Sequence, residues 1–140
     1  MSKTKASGEK IYSILVVDDE KSIRFTTKTI LSKEGYMVFT ADGYHEALGI
    51  MDKIDFDLIF TDLVLAGKTG LDVLREVKKR NSTCPVILIT GKPSVETERE
   101  AIHLGAYDYV SKPLTKDTLL YIVNTVLPNL PSLGGGRTMI

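Results

Sequence analysis

Three carboxylates in this chain of 140 residues follow short apolar runs: Asp18, Asp19 and Asp62. Carboxylates that lie close together raise one another's pKa and destabilise a site unless a cation neutralises them. A donor set made only of oxygen atoms, without imidazole or thiolate, favours Mg²⁺ over Zn²⁺. If the fold brings these residues together, the sequence therefore predicts a magnesium site.

A carboxylate is also a nucleophile toward phosphorus and can form an acyl phosphate. That attack requires a metal ion and a fixed positive charge to hold the phosphoryl oxygens, because the catalysis is mostly positioning and electrostatics. Lys112 and Thr90 also follow apolar runs. The ammonium group of Lys112 can supply the charge, and the Thr90 hydroxyl can donate a hydrogen bond to another phosphoryl oxygen.

These side chains can meet only if several strands end at the same edge of a sheet. Five short runs, most of them rich in Val, Ile, Phe or Tyr, recur along the chain, and several are apolar almost throughout rather than alternating. Such runs are typical of parallel strands that are buried on both faces. The predicted strands are residues 11–17, 36–41, 57–61, 86–90 and 106–110.

A segment with helical periodicity follows each predicted strand. Gly35 and Gly105 are the expected left-handed ends of two of these helices, and Ser94, after Pro93, is the expected N-cap of the fourth. This alternation predicts a doubly wound α/β fold, (βα)5, with a parallel five-stranded sheet and helices on both faces. Ligands of such sheets bind outside the carboxyl ends of the strands. The predicted helices are residues 20–34, 44–52, 70–80, 94–104 and 115–127.

Four motifs at these strand ends resemble the receiver (CheY-like) domain of two-component response regulators. They are ILVVDDE at residues 14–20, DLVL at 62–65 with Gly70 eight residues after Asp62, VILITG at 86–91, and GAYDYVSKP at 105–113. Each motif alone is weak, but the four in order form a strong signal. The resemblance covers about residues 11–127 and implies a flavodoxin-like form of the predicted sheet.

The resemblance also implies a role for each residue. Asp62 is expected to be the phosphoacceptor, which takes a phosphoryl group from a sensor histidine kinase or a phosphotransfer protein. Mg²⁺ is expected on Asp18, Asp19, Asp62 and the backbone carbonyl of Val64. Two further residues are expected to respond: Lys112 contacts the phosphoryl group and Thr90 moves toward it.

Tyr109 matches the aromatic switch residue of the family, which turns inward when Thr90 moves. The face formed by residues 94–127 is expected to bind a downstream output domain or protein, and a phosphorylation-dependent homodimer is a further expected partner. Such a domain is a phosphoacceptor that takes part in its own phosphorylation and dephosphorylation, so we do not expect an independent enzyme.

Two positions depart from the family pattern. Leu65 and Ala66 stand where Met and Pro are usual, and the Ala loosens the loop after Asp62. Gly91 replaces the commoner Ala after Thr90 and gives that backbone more freedom. Neither change removes a reactive group, so we expect them to affect rates and switching amplitude.

Three alternatives remain. A pseudo-receiver would signal through protein interaction without phosphorylation. An aspartate-nucleophile phosphatase would need an acid–base Asp at the position of Val64. A flavin or nucleotide binder would need a loop rich in Gly or hydroxyls after the first strand, where Asp18, Asp19 and Glu20 stand instead.

Other polar residues near the motifs have simpler interpretations. We expect Glu20 to be a charge in the first turn of a helix, and His45 and His103 to be surface residues distant from the acidic edge. Lys92 and Val64 flank the site, and in the family such positions tune the lifetime of the phosphoryl group.

Composition limits the class of protein. Lys and Arg number 18, as do Asp and Glu, so the net charge of zero argues against direct nucleic-acid binding and gives no reason to expect a membrane surface as partner. Cys84 is alone, which suits a reducing compartment, and we expect a cytoplasmic protein. We place a receiver domain at 10–128, a disordered N-terminal tail at 1–9 and a C-terminal tail or linker at 129–140.

Overall fold

A computed structural model describes residues 3–4, 8 and 10–127 of the chain. Within these residues the strands are β1 Lys3–Thr4, β2 Lys10–Ile11, β3 Ser13–Val17, β4 Met37–Ala41, β5 Leu58–Asp62, β6 Val86–Thr90 and β7 Asp108–Ser111. The helices are α1 Lys21–Lys33, α2 Tyr44–Met51, α3 Gly70–Arg80, α4 Val95–His103 and α5 Lys116–Val126.

The described residues form a five-stranded sheet with the order β4-β3-β5-β6-β7, in which every neighbouring pair is parallel. All residues of β5 and β6 are buried. Because side chains on both faces of these strands are buried, their sequences are mostly apolar and do not alternate between apolar and polar residues. The predicted doubly wound (βα)5 fold is confirmed.

The five described helices cover the two faces of the sheet, and each face has its own apolar core. On one face, residues of α2, α3 and α4, such as Ala47, Leu74 and Ala101, pack against alternate side chains of the strands. On the other face, Leu31 of α1 and Ile122 of α5 pack against the remaining strand side chains. The sheet therefore forms the central layer of three.

Several local signals acted as predicted. Gly35 and Gly105 have φ values of 97° and 100°, the left-handed conformation that ends a helix at little cost. Ser94 caps α4 by accepting a hydrogen bond from the Thr97 backbone N–H at 3.1 Å. The N-terminal segment differs from the prediction. Lys3–Thr4 lies within residues 1–9, which were expected to be a disordered tail, but it pairs as an antiparallel strand with Lys10–Ile11.

Other predictions differ from the structure or fall outside it. The first predicted strand divides into β2 and β3, and the fifth begins two residues later than expected. The expected tail of residues 129–140 lies outside the described residues.

Cys84 is buried in the described part of the chain, and burial raises its pKa to about 11. No helix of the described residues is long and apolar enough to cross a bilayer.

Candidate functional site

The carboxyl edge of the sheet brings together the side chains that the sequence places after its strands. Asp18 follows β3, Asp62 is the last residue of β5, Thr90 ends β6, and Lys112 follows β7. The parallel register sets them side by side, since β5 pairs Asp62 with Ile89, next to Thr90. The structure thus assembles one site from four strand ends.

Lys112 is the centre of the site's ion pairs. Its Nζ lies 2.9 Å from Asp62 Oδ2 and 3.2 Å from Asp18 Oδ2, and it lies 3.8 Å from Glu20 Oε1. Asp18 and Asp62 are only 4% and 6% exposed. At that burial, water screens their repulsion poorly, so the nearby ammonium group stabilises two carboxylates that would otherwise destabilise each other.

The pKa values of Asp18 and Lys112 follow from this arrangement. Burial raises the pKa of Asp18, and the charge of Asp62 adds to the rise, although the Glu20 N–H and Lys112 act against it. Burial alone would lower the pKa of Lys112. The hydrogen bond to Asp62 and the charges of both carboxylates outweigh burial, so the pKa of Lys112 is raised. Lys112 therefore stays a cation at neutral pH.

Asp18, Asp19 and Asp62 each offer one carboxylate oxygen, and these oxygens all lie within 4.8 Å of one another. Asp19 is exposed, whereas the other two residues are buried, so the cluster opens to water on one side. Hard oxygen donors of this number with access to water are what Mg²⁺ prefers, because it keeps several waters in its octahedron. The residues present therefore fit a magnesium ion.

The loop after Asp62 is held in place by close backbone contacts. The Val64 N–H donates to Asp62 Oδ1 at 3.2 Å, and Val64 pairs with Thr69 in an isolated bridge. The N–H of Gly70 donates to the Leu63 carbonyl at 2.8 Å. A Cβ atom on Gly70 would lie 2.3 Å from the Asp62 carbonyl oxygen. Gly70 thus allows the loop to fold back onto the phosphoacceptor candidate.

The turn after β3 contains contacts that the motif alone did not reveal. Asp18 Oδ1 accepts from the Glu20 N–H at 2.9 Å, and the Asp18 carbonyl accepts from Arg24 Nη1 at 2.8 Å. Glu20 is the N-cap residue of α1 rather than a first-turn charge, and its side chain makes no capping hydrogen bond. The sequence signal that could have indicated the contact of Arg24 is its position in the second turn of α1, a few residues after Asp18, Asp19 and Glu20.

The hydroxyl groups of Thr90 and Tyr109 bond to the segment between β6 and α4 rather than to the carboxylates. Thr90 is buried, and its Oγ1 accepts from the Lys92 N–H at 3.0 Å. The described residues include no hydrogen bond between Thr90 and Asp62. The half-buried Tyr109 hydroxyl contacts the start of α4 instead.

Both histidines are exposed, as predicted. His45 is nevertheless nearer the acidic edge than expected, because it lines a cleft together with Asp19, Asp42 and Lys68. Only two residues, Asp42 and Gly43, separate β4 from α2, so the first turn of this helix lies close to the carboxyl edge of the sheet.

A family model described as the response regulator receiver domain matches residues 14–124. The chain belongs to this family, as its motifs predicted, and is the receiver domain of a two-component response regulator. It is 37% identical over 115 residues to the alginate biosynthesis transcriptional regulatory protein AlgB of Pseudomonas aeruginosa, a match that covers 82% of this chain and 26% of AlgB. It is 36% identical over 115 residues to a putative response regulator, NtrX-like, of Rickettsia bellii, covering 81% of this chain and 24% of that protein.

Solved structures agree with this assignment. The chemotaxis protein CheY4 of Vibrio cholerae superimposes with a TM-score of 0.80 at 32% identity, covering 84% of this chain and 99% of CheY4. A beryllofluoride-activated NtrC4 receiver domain dimer superimposes with a TM-score of 0.77 at 33% identity, covering 81% and 94% of the two chains. The chain spans about a quarter of the length of the curated relatives.

Proposed function

We propose that this receiver domain accepts a phosphoryl group on Asp62 in a Mg²⁺-dependent reaction and thereby switches a surface that binds its signalling partner. The observation that carries the proposal is the position of Lys112 Nζ, 2.9 Å from Asp62 Oδ2 and 3.2 Å from Asp18 Oδ2. One cation beside two buried carboxylates supports Asp62 as the nucleophile and Asp18 as a ligand of the metal ion.

The donor is a phosphohistidine on a sensor histidine kinase or a phosphotransfer protein. An Asp62 carboxylate oxygen attacks the phosphorus, the new O–P bond forms as the N–P bond breaks, and the imidazole leaves with the electron pair. The ammonium group of Lys112 stabilises the negative charge on the transferred group. Asp62 takes part once in each cycle, so the domain is not an independent enzyme.

Asp18, Asp19, Asp62 and the backbone carbonyl of Val64 would hold the magnesium ion. When bound, Mg²⁺ supplies positive charge that neutralises the carboxylates and orients the phosphoryl oxygens. The Val64 N–H donates to Asp62 Oδ1 at 3.2 Å, so the backbone of this residue lies beside the phosphoacceptor candidate.

Switching follows from the second half of the site. We propose that Thr90 leaves the Lys92 N–H to hydrogen-bond the phosphoryl group and that Tyr109 turns inward as Thr90 moves. The partner surface is the face of residues 94–127, where large apolar side chains stand exposed. These are Val95, Ile102, Tyr107 and Tyr121.

The partner on this face is an output domain or protein, or a second copy of the chain once phosphorylated. The NtrC4 receiver that superimposes on this chain is described as a dimer in its beryllofluoride-activated form, which supports the second possibility. We propose a cytoplasmic protein in which this domain itself does not bind nucleic acid, since its charges balance.

The alternatives have weaker support. A pseudo-receiver would not need the complete set of three clustered carboxylates with Lys112 between two of them. An aspartate-nucleophile phosphatase would need a second acid two residues after Asp62, and Val64 stands there.

Incubation with acetyl phosphate and Mg²⁺, followed by intact-protein mass spectrometry, tests the proposal. We expect the added mass of one phosphoryl group on the wild type and on Asp55→Asn, a control that removes an exposed carboxylate at the opposite edge of the sheet. We expect no addition on Asp62→Asn. A folded wild type that stays unmodified would contradict the proposal, as would addition that survives Asp62→Asn.

A further inference from the structure

Tyr109 is joined through its hydroxyl to the first turn of α4. The phenol oxygen accepts from the Ser94 backbone N–H at 3.1 Å and forms a second hydrogen bond with the hydroxyl of Thr97. Ser94 is the N-cap of α4, so its N–H is not satisfied by helical bonding. The side chain of Tyr109 therefore cannot turn inward about its Cα–Cβ bond without breaking two hydrogen bonds to this helix end.

Thr97 is fixed in its own position by the cap. Its Oγ1 lies 2.9 Å from Ser94 Oγ, and its backbone N–H donates to the same Ser94 oxygen at 3.1 Å. The hydroxyl of Thr97 thus presents a stationary partner to the phenol. Because the hydroxyl is held by the helix, less conformational entropy is lost in forming the bond to Tyr109.

The start of α5 repeats this arrangement without a tyrosine. Thr115 is the N-cap, its Oγ1 accepts from the Thr118 N–H at 3.2 Å, and the two hydroxyls lie 3.0 Å apart. Thr118 therefore makes the same contacts with the hydroxyl of its cap residue as Thr97 does, three residues after that cap. The contact with Tyr109 is what distinguishes Thr97.

Thr90 is hydrogen-bonded to the loop that precedes α4. Its hydroxyl accepts from the Lys92 N–H, at the start of the loop that leads to Ser94, and is not bonded to Asp62 within the described residues. Movement of Thr90 toward Asp62 would break that bond. The same loop thus carries the hydrogen bonds of both switch candidates.

We infer that Thr97 is a positioning residue that holds Tyr109 in its resting position and so sets how much free energy a phosphoryl group must supply to switch the domain. The inference rests on the proposed function. Loss of the Thr97 hydroxyl raises the population of the state in which Tyr109 is free to turn. A ligand that selects that state then binds more tightly by the same factor.

Binding of beryllofluoride, a non-covalent mimic of the aspartyl phosphate, in the presence of Mg²⁺ tests this inference by amide NMR titration of the full chain. We expect Thr97→Val to bind beryllofluoride about three- to tenfold more tightly than the wild type, the factor that corresponds to one net hydrogen bond. The matched control is Thr118→Val, which removes the equivalent hydroxyl from α5 and is expected to bind like the wild type.

A double-mutant cycle separates positioning from a general effect on α4. Tyr109→Phe removes the phenol oxygen, so Thr97→Val is expected to have no further effect on that background. Unfolding in urea, measured on both threonine variants, is expected to show Thr97→Val somewhat less stable than Thr118→Val, because the bond to Tyr109 stabilises the resting fold. A purely structural role of Thr97 predicts that loss of stability without tighter binding of beryllofluoride.

The inference would be overturned if Thr97→Val binds beryllofluoride as the wild type does, if it binds more weakly, or if Thr118→Val shifts the affinity equally. An additive effect of Thr97→Val on the Tyr109→Phe background would also overturn it. A wild type that binds no beryllofluoride would instead refute the proposed function itself, and the inference with it. The two failures are thus distinguishable.

Discussion

At the scale of single residues, Gly70 shows how a position without a side chain shapes the site. Its backbone runs against the Asp62 carbonyl, and its N–H bonds to Leu63. A larger residue must push the loop that follows Asp62 away from the sheet. The loop after Asp62 can therefore pack this closely because Gly70 has no Cβ.

We predict that Gly70→Ala lowers the free energy of unfolding by about 1–3 kcal/mol, the usual range for forcing extra volume into a packed region. The reason is the distance of 2.3 Å between the added Cβ and the Asp62 oxygen. Urea unfolding would measure the change. Gly49→Ala is the control, because Gly49 lies within α2 with nothing within 4 Å of its added Cβ and should gain about 0.5–1 kcal/mol. Equal stability of the two variants would contradict this account.

At the scale of the element, α3 carries its own start signal. The Thr69 side chain accepts from the backbone N–H groups of Leu71 and Asp72, and the Asp72 side chain accepts from the Thr69 N–H at 2.8 Å. This capping box satisfies donors that a helix end leaves unpaired. It also anchors the far end of the loop that follows Asp62, so that the local cap contributes to the geometry of the site.

We predict that Asp72→Asn destabilises the protein at neutral pH by about 1 kcal/mol, because a neutral amide oxygen replaces the charged acceptor of the Thr69 N–H. The hydrogen bond from Thr69 lowers the pKa of Asp72 below 3.8. Because the folded pKa is depressed, the stabilisation is complete above the unfolded value and disappears as the pH falls through the folded one. The difference between wild type and variant in urea unfolding should therefore shrink in acid.

Asp117→Asn provides the comparison for this element. Asp117 lies in the first turn of α5, where it interacts with the helix dipole, whereas Thr115 and Thr118 make the capping contacts. We expect a smaller loss than for Asp72→Asn, about 0.3–1 kcal/mol. A larger loss at Asp117 than at Asp72 would show that the dipole, not the capping box, dominates.

At the scale of the whole molecule, the ends of β3 and β5 assemble an acidic cluster whose repulsion the rest of the fold must oppose. We predict that Mg²⁺ raises the free energy of unfolding, by about 1.4 kcal/mol at ten times its dissociation constant. Asp19→Asn should lose most of that response and, without Mg²⁺, should be at least as stable as the wild type, because one of three clustered charges is gone.

Urea unfolding with and without Mg²⁺ measures both effects. Asp55→Asn, at the opposite edge of the sheet, should keep the full response to Mg²⁺. If Asp19→Asn and the wild type were stabilised equally by Mg²⁺, the ion would be binding elsewhere on the molecule.

The sequence by itself determined the layers of the fold and the residues that meet at its edge. Continuous apolar runs alternating with helical periodicity require a parallel sheet, and in a parallel sheet all strands end at one edge. That geometry places Asp18, Asp62, Thr90 and Lys112 at one edge, and the strand order then decides how close they come. The left-handed glycines and the Ser94 cap were equally legible, because their signals are local.

Only the tertiary structure decided which helices share a face and which side chains touch. Periodicity marks the buried side of a helix but does not name the surface it packs against, so the pairing of α1 with α5 on one face was not encoded locally. The contacts of Lys112 with two carboxylates, of Arg24 with the Asp18 carbonyl, and of Tyr109 with Thr97 are hydrogen bonds between side chains and distant partners. Such bonds depend on distances of a few tenths of an ångström, which follow from packing of the entire chain rather than from residue type and spacing.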